Sequence, residues 1–290
     1  MPVTRVHSSD TQVFVNSTRL LGVQSVDVSV EKSNTPIRSL SRLNNTDYLL
    51  NANQKIDLSL TYHAVTENGA FDPFFSVSNS GVLSVEYFDF EILDNAGRQL
   101  ISGAYLSNYS LNLAVGQVAQ VSISYEADSI SFDDTDILTP NEQSSDSYSV
   151  YSPKEITVSG TSFDGQVNSS NLCIQSADIS FAISREPITT LGTRTPRYRY
   201  PQLPIEGSID LKILKNQVTG VDLSSLVLDK GSLAFYLTKA NDNSIFYNIN
   251  NCSLISISES NSLDGNAMLD FKYSFSLNNN SVSRAVISPP

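Results

Sequence analysis

Leu21-Gly22-Val23-Gln24-Ser25-Val26-Asp27-Val28-Ser29-Val30 lies over Leu172-Cys173-Ile174-Gln175-Ser176-Ala177-Asp178-Ile179-Ser180-Phe181 when the sequence is slid against itself by 151 residues. The match continues without a gap: Ser33 falls on Ser184, Pro36-Ile37 on Pro187-Ile188 and Leu40 on Leu191, nine identities in twenty positions. Chance would supply about one or two. Val26, Val28 and Val30 become Ala177, Ile179 and Phe181, while Asp27 and Ser29 recur as Asp178 and Ser180. A period of two with one apolar face is the signature of a half-buried strand, and its recurrence in register predicts a duplicated fold.

Further segments match in the same order. Ile56-Asp57-Leu58-Ser59-Leu60 corresponds to Ile209-Asp210-Leu211-Lys212-Ile213, and Gly81-Val82-Leu83 to Gly231-Ser232-Leu233. Asn108-Tyr109-Ser110-Leu111 recurs as Asn251-Cys252-Ser253-Leu254, and Val121-Ser122-Ile123-Ser124-Tyr125 as Leu269-Asp270-Phe271-Lys272-Tyr273. The expected organisation is a mainly β chain: an N-terminal arm over 1–13, a β domain over 14–127, an acidic linker over 128–165, a second β domain over 166–277 and a C-terminal arm over 278–290. Helix signals are scarce. Glu67 to Phe75 and Thr219 to Val227 occupy equivalent places, and Asp72-Pro73 and Asp222 predict one short capped helix in each copy.

Between the early strands lie two long stretches, Ser33 to Gln54 and Ser184 to Glu206, read as loops; loops of that length usually carry function. The second is basic and aromatic, with Arg185, Arg194, Arg197, Tyr198, Arg199 and Tyr200; the first carries Arg38 and Arg42. Arg mixed with Tyr is also how single-stranded nucleic acid is read. Docking on an acidic neighbour fits better, because 30 acidic against 18 basic residues give a net charge of -12, which disfavours phosphate backbones. Glu126 to Ser147 holds Asp128, Asp133, Asp134 and Asp136 among its acids and no basic residue, so it is either a solvated spacer or the partner of those arginines in a neighbouring subunit.

The sequence predicts no chemistry of its own. Only His7 and His63 are present, and there is no nucleophile elbow, phosphate loop, dinucleotide turn or metal-ligand cluster. Asp133 beside Asp134 falls in the expected acidic linker rather than at strand ends framing a cleft. Cys173 and Cys252 stand among apolar neighbours and read as buried thiols. No enzyme activity, cofactor or metal is expected. The N-terminal residues lack the apolar core of a secretion signal and no run of 18 apolar residues occurs, so neither export by that route nor a helical membrane anchor is expected.

The segment Leu21 to Glu31, followed by the Arg-bearing stretch and the strand Ile56 to Leu60, resembles the start of bacteriophage tail tube proteins, and the second copy resembles it as well. The resemblance implies two β-sheets and a flanking helix per domain, with strands joining neighbours into a continuous barrel, as also in the tubes of contractile injection systems. It implies inter-ring contacts for the loop residues Arg38, Arg42, Arg185, Arg194, Arg197 and Arg199. Two domains per chain then imply a homotrimeric, pseudo-sixfold ring, stacked into a virion tail tube assembled in the host cytoplasm. Sheath, baseplate and tail terminator proteins are the implied partners, and DNA passes without specific binding. Asp27, Asp57, Asp178 and Asp210, on the polar faces of the matched strands, are the candidate lumen residues. The competing readings are a baseplate, distal-tail or tail-completion protein of the same fold, or a two-domain adhesion or carbohydrate-binding module.

Overall fold

The computed structural model describes residues 11–37, 47–65, 87–94, 96–134, 150–151, 156–160, 174–188, 190, 196, 198–214, 231–238, 244–260, 267–277 and 282–287. Seventeen strands run through them: β1 (Gln12–Val15), β2 (Thr18–Arg19), β3 (Val23–Ile37), β4 (Asp47–His63), β5 (Phe88–Leu93), β6 (Arg98–Ala114), β7 (Gln120–Ala127), β8 (Ser129–Asp133), β9 (Ile156–Gly160), β10 (Ile174–Ala182), β11 (Arg185–Ile188), β12 (Tyr198–Pro201), β13 (Glu206–Leu214), β14 (Gly231–Leu237), β15 (Ser244–Ser260), β16 (Met268–Ser276) and β17 (Val282–Ile287). All ladders are antiparallel and no helix occurs among the described residues. Both segments expected to form a short helix, 67–75 and 219–227, lie outside them.

The centre is one eight-stranded sheet in the order β3-β4-β7-β6-β10-β13-β16-β15. Its two four-strand halves read in the same chain order: first, second, fourth, third. Alternation decides its faces, because residues directly opposite across a ladder share a face. On one face Leu58, Leu60, Ile123, Tyr125, Tyr109, Leu111, Ile179, Phe181, Ile209, Leu211, Phe271 and Tyr273 are buried in a common core. Burying a side chain of this size stabilises by about 1.5–3 kcal/mol.

That core is closed by two outer sheets, one on each half. The first runs β2-β1-β5-β6-β8 and the second β9-β14-β15-β17. The strands β6 and β15, 17 residues each, belong to both layers. Each carries a register shift where it passes between sheets, leaving Ser107 unpaired between Leu106 and Asn108, and Ile255 between Leu254 and Ser256. An extra residue bends a strand and increases its twist, which is what lets one strand turn a corner. Phe90 and Phe88 of β5 meet Tyr125 of β7 at 4.8 and 6.0 Å between ring centroids, joining the first outer sheet to the central one.

Three expectations differ from this arrangement. The stretches read as long loops are partly ladder: β3 and β4 continue past the core as Asn34↔Leu50 to Ile37↔Asp47, and β11 pairs β12 from Arg185↔Pro201 to Ile188↔Tyr198. Prolines and charges there hide the alternation, but a hairpin extension needs no buried face. The acidic stretch 128–165 contributes β8, paired to β6, and β9, paired to β14. The stretch 278–290 contributes β17, paired to β15.

Candidate functional site: an internal strand junction and two open edges

The two halves of the central sheet meet where β6 pairs with β10, from Ser176↔Ala114 to Ala182↔Asn108. On the buried face Tyr109 stacks on Phe181, 5.1 Å between centroids and 13° from parallel. On the polar face the Asn112 amide donates to the Asp178 carboxylate. The ladder is prolonged by the Ile183 N–H, which donates to the carbonyl of the bulged Ser107 at 2.8 Å.

Above this junction the β11–β12 hairpin leans from the second half onto the first. Arg199 of β12 is 5% exposed, a rare degree of burial for an arginine. Its Nε donates to Asp128 Oδ1 and its Nη1 to Glu126 Oε2, both at 2.9 Å, and Nη2 reaches the Ala127 carbonyl at 3.4 Å. Arg185 of β11 lies beside it: Nε donates to the Leu106 carbonyl at 3.0 Å, Nη1 to the Arg199 carbonyl at 3.1 Å, and the guanidinium sits 5.5 Å over the Tyr105 ring. Asp128 fits because residue 103 is glycine, with φ +66 and the Asp128 carboxyl where a Cβ would project. Burial pushes the Asp128 carboxyl above its ordinary value, and Arg199 offsets that only in part. Burial likewise lowers the Arg185 guanidinium.

Sequence reasoning offered Asp128 and its acidic neighbours either as a solvated spacer or as partners of Arg185 and Arg199 in a neighbouring subunit. The structure brings Asp128, Arg185 and Arg199 together within one chain, with Glu126. Asp133, directly opposite Arg98, and Asp134 lie at the exposed end of β8. Arg38, Arg42, Arg194, Arg197 and Asp136 lie outside the described residues. Tyr105 went unremarked in the sequence; nothing local marks it as a cation's partner.

Asp27, Asp57, Asp178 and Asp210 share the polar face of the central sheet. A row of hydroxyls crosses all eight strands there: Ser25, Thr61, Ser122, Ser110, Ser180, Ser208, Ser274 and Ser253 stand successively opposite one another. Two cross-strand hydroxyl contacts, Ser180–Ser208 at 3.0 Å and Thr61–Ser122 at 3.4 Å, lie along it. Flanking rows carry Asp27, Glu31, Asp57, Glu126, Asp178, Asp210 and Asp270 against Lys55, Lys212 and Lys272. Lys55 pairs with Asp57 at 2.9 Å and Lys272 with Asp210 at 3.4 Å. The face is therefore hydroxylated and net acidic.

No family model and no curated protein matches this chain. Among the described residues no group of three His, Cys, Asp or Glu side chains is placed to hold a metal ion, and no helix is long and apolar enough to cross a membrane. What the sheet offers instead is backbone. Among the described residues, β3 is paired only to β4, and Ser253 to Ser260 of β15 only to β16. Among the described residues neither has a ladder partner along its other side. Val30, 42% exposed, stands on the β3 edge.

Proposed function

We propose that this chain is the structural subunit of a bacteriophage tail tube, built of two tandem copies of one β domain and assembling as stacked trimeric, pseudo-hexameric rings around a DNA-conducting lumen. The observation that carries the reading is the β6·β10 junction. β10 is the counterpart of β3 at a spacing of 151, so the chain contains, between its own halves, a specimen of the joint that its open β15 and β3 edges would make between chains.

The ladders support equivalence of the halves. With β3 set against β10, the pairings Asp27↔Ser59 and Asp178↔Asp210 put β13 at the same spacing of 151 from β4. That moves the sequence match of Ile56 with Ile209 by two residues, which keeps every side chain on its face. Ser59↔Ser124 and Asp210↔Lys272 put β16 at a spacing of 148 from β7, as in the sequence match. Ser110↔Ser122 and Ser258↔Asp270 give 148 for β6 and β15 also, and the two bulged residues, Ser107 and Ile255, fall on one another. The sequence match of Asn108 with Asn251 is displaced by five residues from that register.

Transferred to the open edges, the junction register pairs β3 with β15 of a second copy as Asp27↔Ser260, Ser29↔Ser258 and Val30↔Ile257. Val30 then meets an apolar partner where Phe181 meets Tyr109. Stagger supports closure. Ser29 stands level with Asp57, whereas its counterpart Ser180 stands level with Ser110, and so with Ser25. Crossing four strands thus shifts the register by four residues. One residue per strand is also the ratio of the eight-stranded α/β barrel of shear 8, whose strands tilt by about 36°. Three chains contribute eight central strands each. Twenty-four strands spaced about 4.8 Å apart at that tilt enclose a cylinder about 45 Å across at the backbone, wide enough for duplex DNA.

With the apolar face covered by the outer sheets, the hydroxylated, acidic face is the one left for the lumen. Carboxylates repel phosphate, and hydroxyls hold water without holding an anion, so DNA would slide. Electron microscopy of the purified chain tests the reading: stacked rings are expected, and a monodisperse monomer at every salt and protein concentration would sink it.

A further inference from the structure

The halves of the chain are joined covalently only through residues 152–155. Tyr151 is buried, its carbonyl accepting from the Ala119 N–H of the first half, and β9 pairs β14 of the second. Beyond that crossing the halves meet along the β6·β10 ladder, with its Tyr109–Phe181 stack, and under the β11–β12 hairpin. We propose that this hairpin is a clasp that locks the β6·β10 seam against exchange, holding β10 on the β6 of its own chain and off that of a second copy. The clasp is a property of the folded chain, independent of what the chain assembles into.

A ladder alone is open to exchange. The polar face of the sheet at the seam carries Ser110, Asn112, Asp178 and Ser180, so water is at hand to replace each backbone bond that breaks. When two chains open together, β10 of each can pair with β6 of the other and rebuild every seam contact, which is the route to a domain-swapped dimer. Closed and exchanged forms then hold the same bonds. Only the barrier between them keeps β10 at home.

The hairpin raises that barrier. Arg199 has the same partners in both forms, so it favours neither, but on the way it must leave Glu126 and Asp128 before water reaches a guanidinium that is almost wholly buried. Separating charges in a site not yet hydrated costs far more than separating them in water. Arg185 anchors the same hairpin to β6 through the Leu106 carbonyl, beside the Ser107 bulge, and over the Tyr105 ring. Its Nη1 also holds the Arg199 carbonyl, so the two arginines leave together. The base of the hairpin is closed by the Gln202 N–H on the Ser184 carbonyl, and the Ile183 N–H on the Ser107 carbonyl makes it continuous with the seam. The end of β10 therefore cannot lift without the clasp.

The test mixes two folded full-length chains, one carrying Asn108→Cys and the other Ala182→Cys, each with Cys173→Ala; the buried Cys252 stays native. Asn108 and Ala182 are exposed and stand opposite each other across the seam. A short thiol cross-linker therefore yields the mixed dimer only when β10 of one chain lies on β6 of the other, and its appearance is followed by intact mass. With Arg199→Met in both chains the initial rate of exchange is expected to rise at least about tenfold, the factor per 1.4 kcal/mol of lost barrier. The mixed-dimer yield after refolding from urea, where either form is accessible, is expected to equal that of the native mixture. An unchanged rate overturns the proposal, and so does a changed refolded yield, which would make the hairpin a selector of partners and not a lock.

Arg199→Met with Glu126→Gln and Asp128→Asn keeps the test alive if the single variant fails to fold. It leaves no charge to separate, so it is expected to exchange as fast as Arg199→Met; exchange at the native rate overturns the proposal. Leu233→Ala opens a cavity in β14 of the second half without touching the hairpin, and is expected to leave the rate near the native one. A rise matching that of Arg199→Met would show exchange passing through general unfolding and remove the clasp.

Discussion

Arg199 and Asp128, 71 residues apart in sequence, meet at 2.9 Å with the arginine almost wholly buried, and the contact joins the second half of the chain to the first. Truncating Arg199 to methionine leaves Glu126 and Asp128 without the guanidinium that donates to both. Breaking a fully buried pair costs about 3–5 kcal/mol, and because both carboxylates keep some exposure the expected loss is nearer about 2–3 kcal/mol. Urea denaturation of the full chain measures it. Adding Glu126→Gln and Asp128→Asn should recover part of the loss; a triple variant less stable than the single one contradicts the assignment.

The pH dependence of this contact has a definite sign. The folded state holds the Asp128 carboxyl above its ordinary value of 3.8, chiefly through burial. Between the ordinary and the raised value the folded state binds the proton more tightly than the unfolded one, so stability falls as pH rises through that window and is level above it. Asp128→Asn should flatten this component. Stability profiles of the two proteins, subtracted, isolate it; a difference that rises with pH in the same window would show that Arg199, not burial, dominates.

How much of this was legible in the chain depends on distance along it. The alternation of Val26, Val28 and Val30 against Asp27 and Ser29 exposes strand and face at once, because a half-buried strand writes its pattern locally. The hairpin extensions look like loops in the sequence because Pro36, Pro187 and the charges around them break that alternation. β8 was lost behind acidic residues, although Ile130 and Phe132 alternate within it. Arginines and acids could be named in advance, but their meeting inside one chain is set by the β6·β10 register, which no local pattern encodes.

Cys252 offers an independent probe of the second half. The thiol is fully buried, donates to the Ile249 carbonyl at 3.3 Å, and burial raises its pKa to about 12. Only the thiolate attacks disulfide reagents, so at pH 8 the folded chain should leave Cys252 unmodified and release it on unfolding. Cys173→Ala makes the signal single, since Cys173 lies outside the described residues. Stoichiometric labelling without denaturant would contradict the packing described for β15.

Gly207 tests the packing beside the junction. A Cβ there would fall inside the Phe275 ring directly across the ladder, and Gly207 also stands opposite Phe181, the residue stacked on Tyr109. Gly207→Ala must therefore displace an aromatic ring from a close-packed core, at a cost of about 1–3 kcal/mol. A lower urea midpoint with an unchanged slope is expected; an unchanged midpoint contradicts the contact.

The open edge admits a sharper test than truncation. Val30 is apolar and 42% exposed, and the proposed assembly would set it opposite Ile257 of a second copy. A carboxylate there would have to lose its water on joining that partner, while in a lone chain it keeps enough exposure to stay hydrated. Val30→Asp should therefore shift stability by no more than about 0.5 kcal/mol yet suppress rings and tubes in sedimentation and electron microscopy. Val30→Ile, which keeps the contact apolar, should assemble as the native chain does. Equal assembly of the two variants would remove β3 from the interface, whatever the fate of the tube itself.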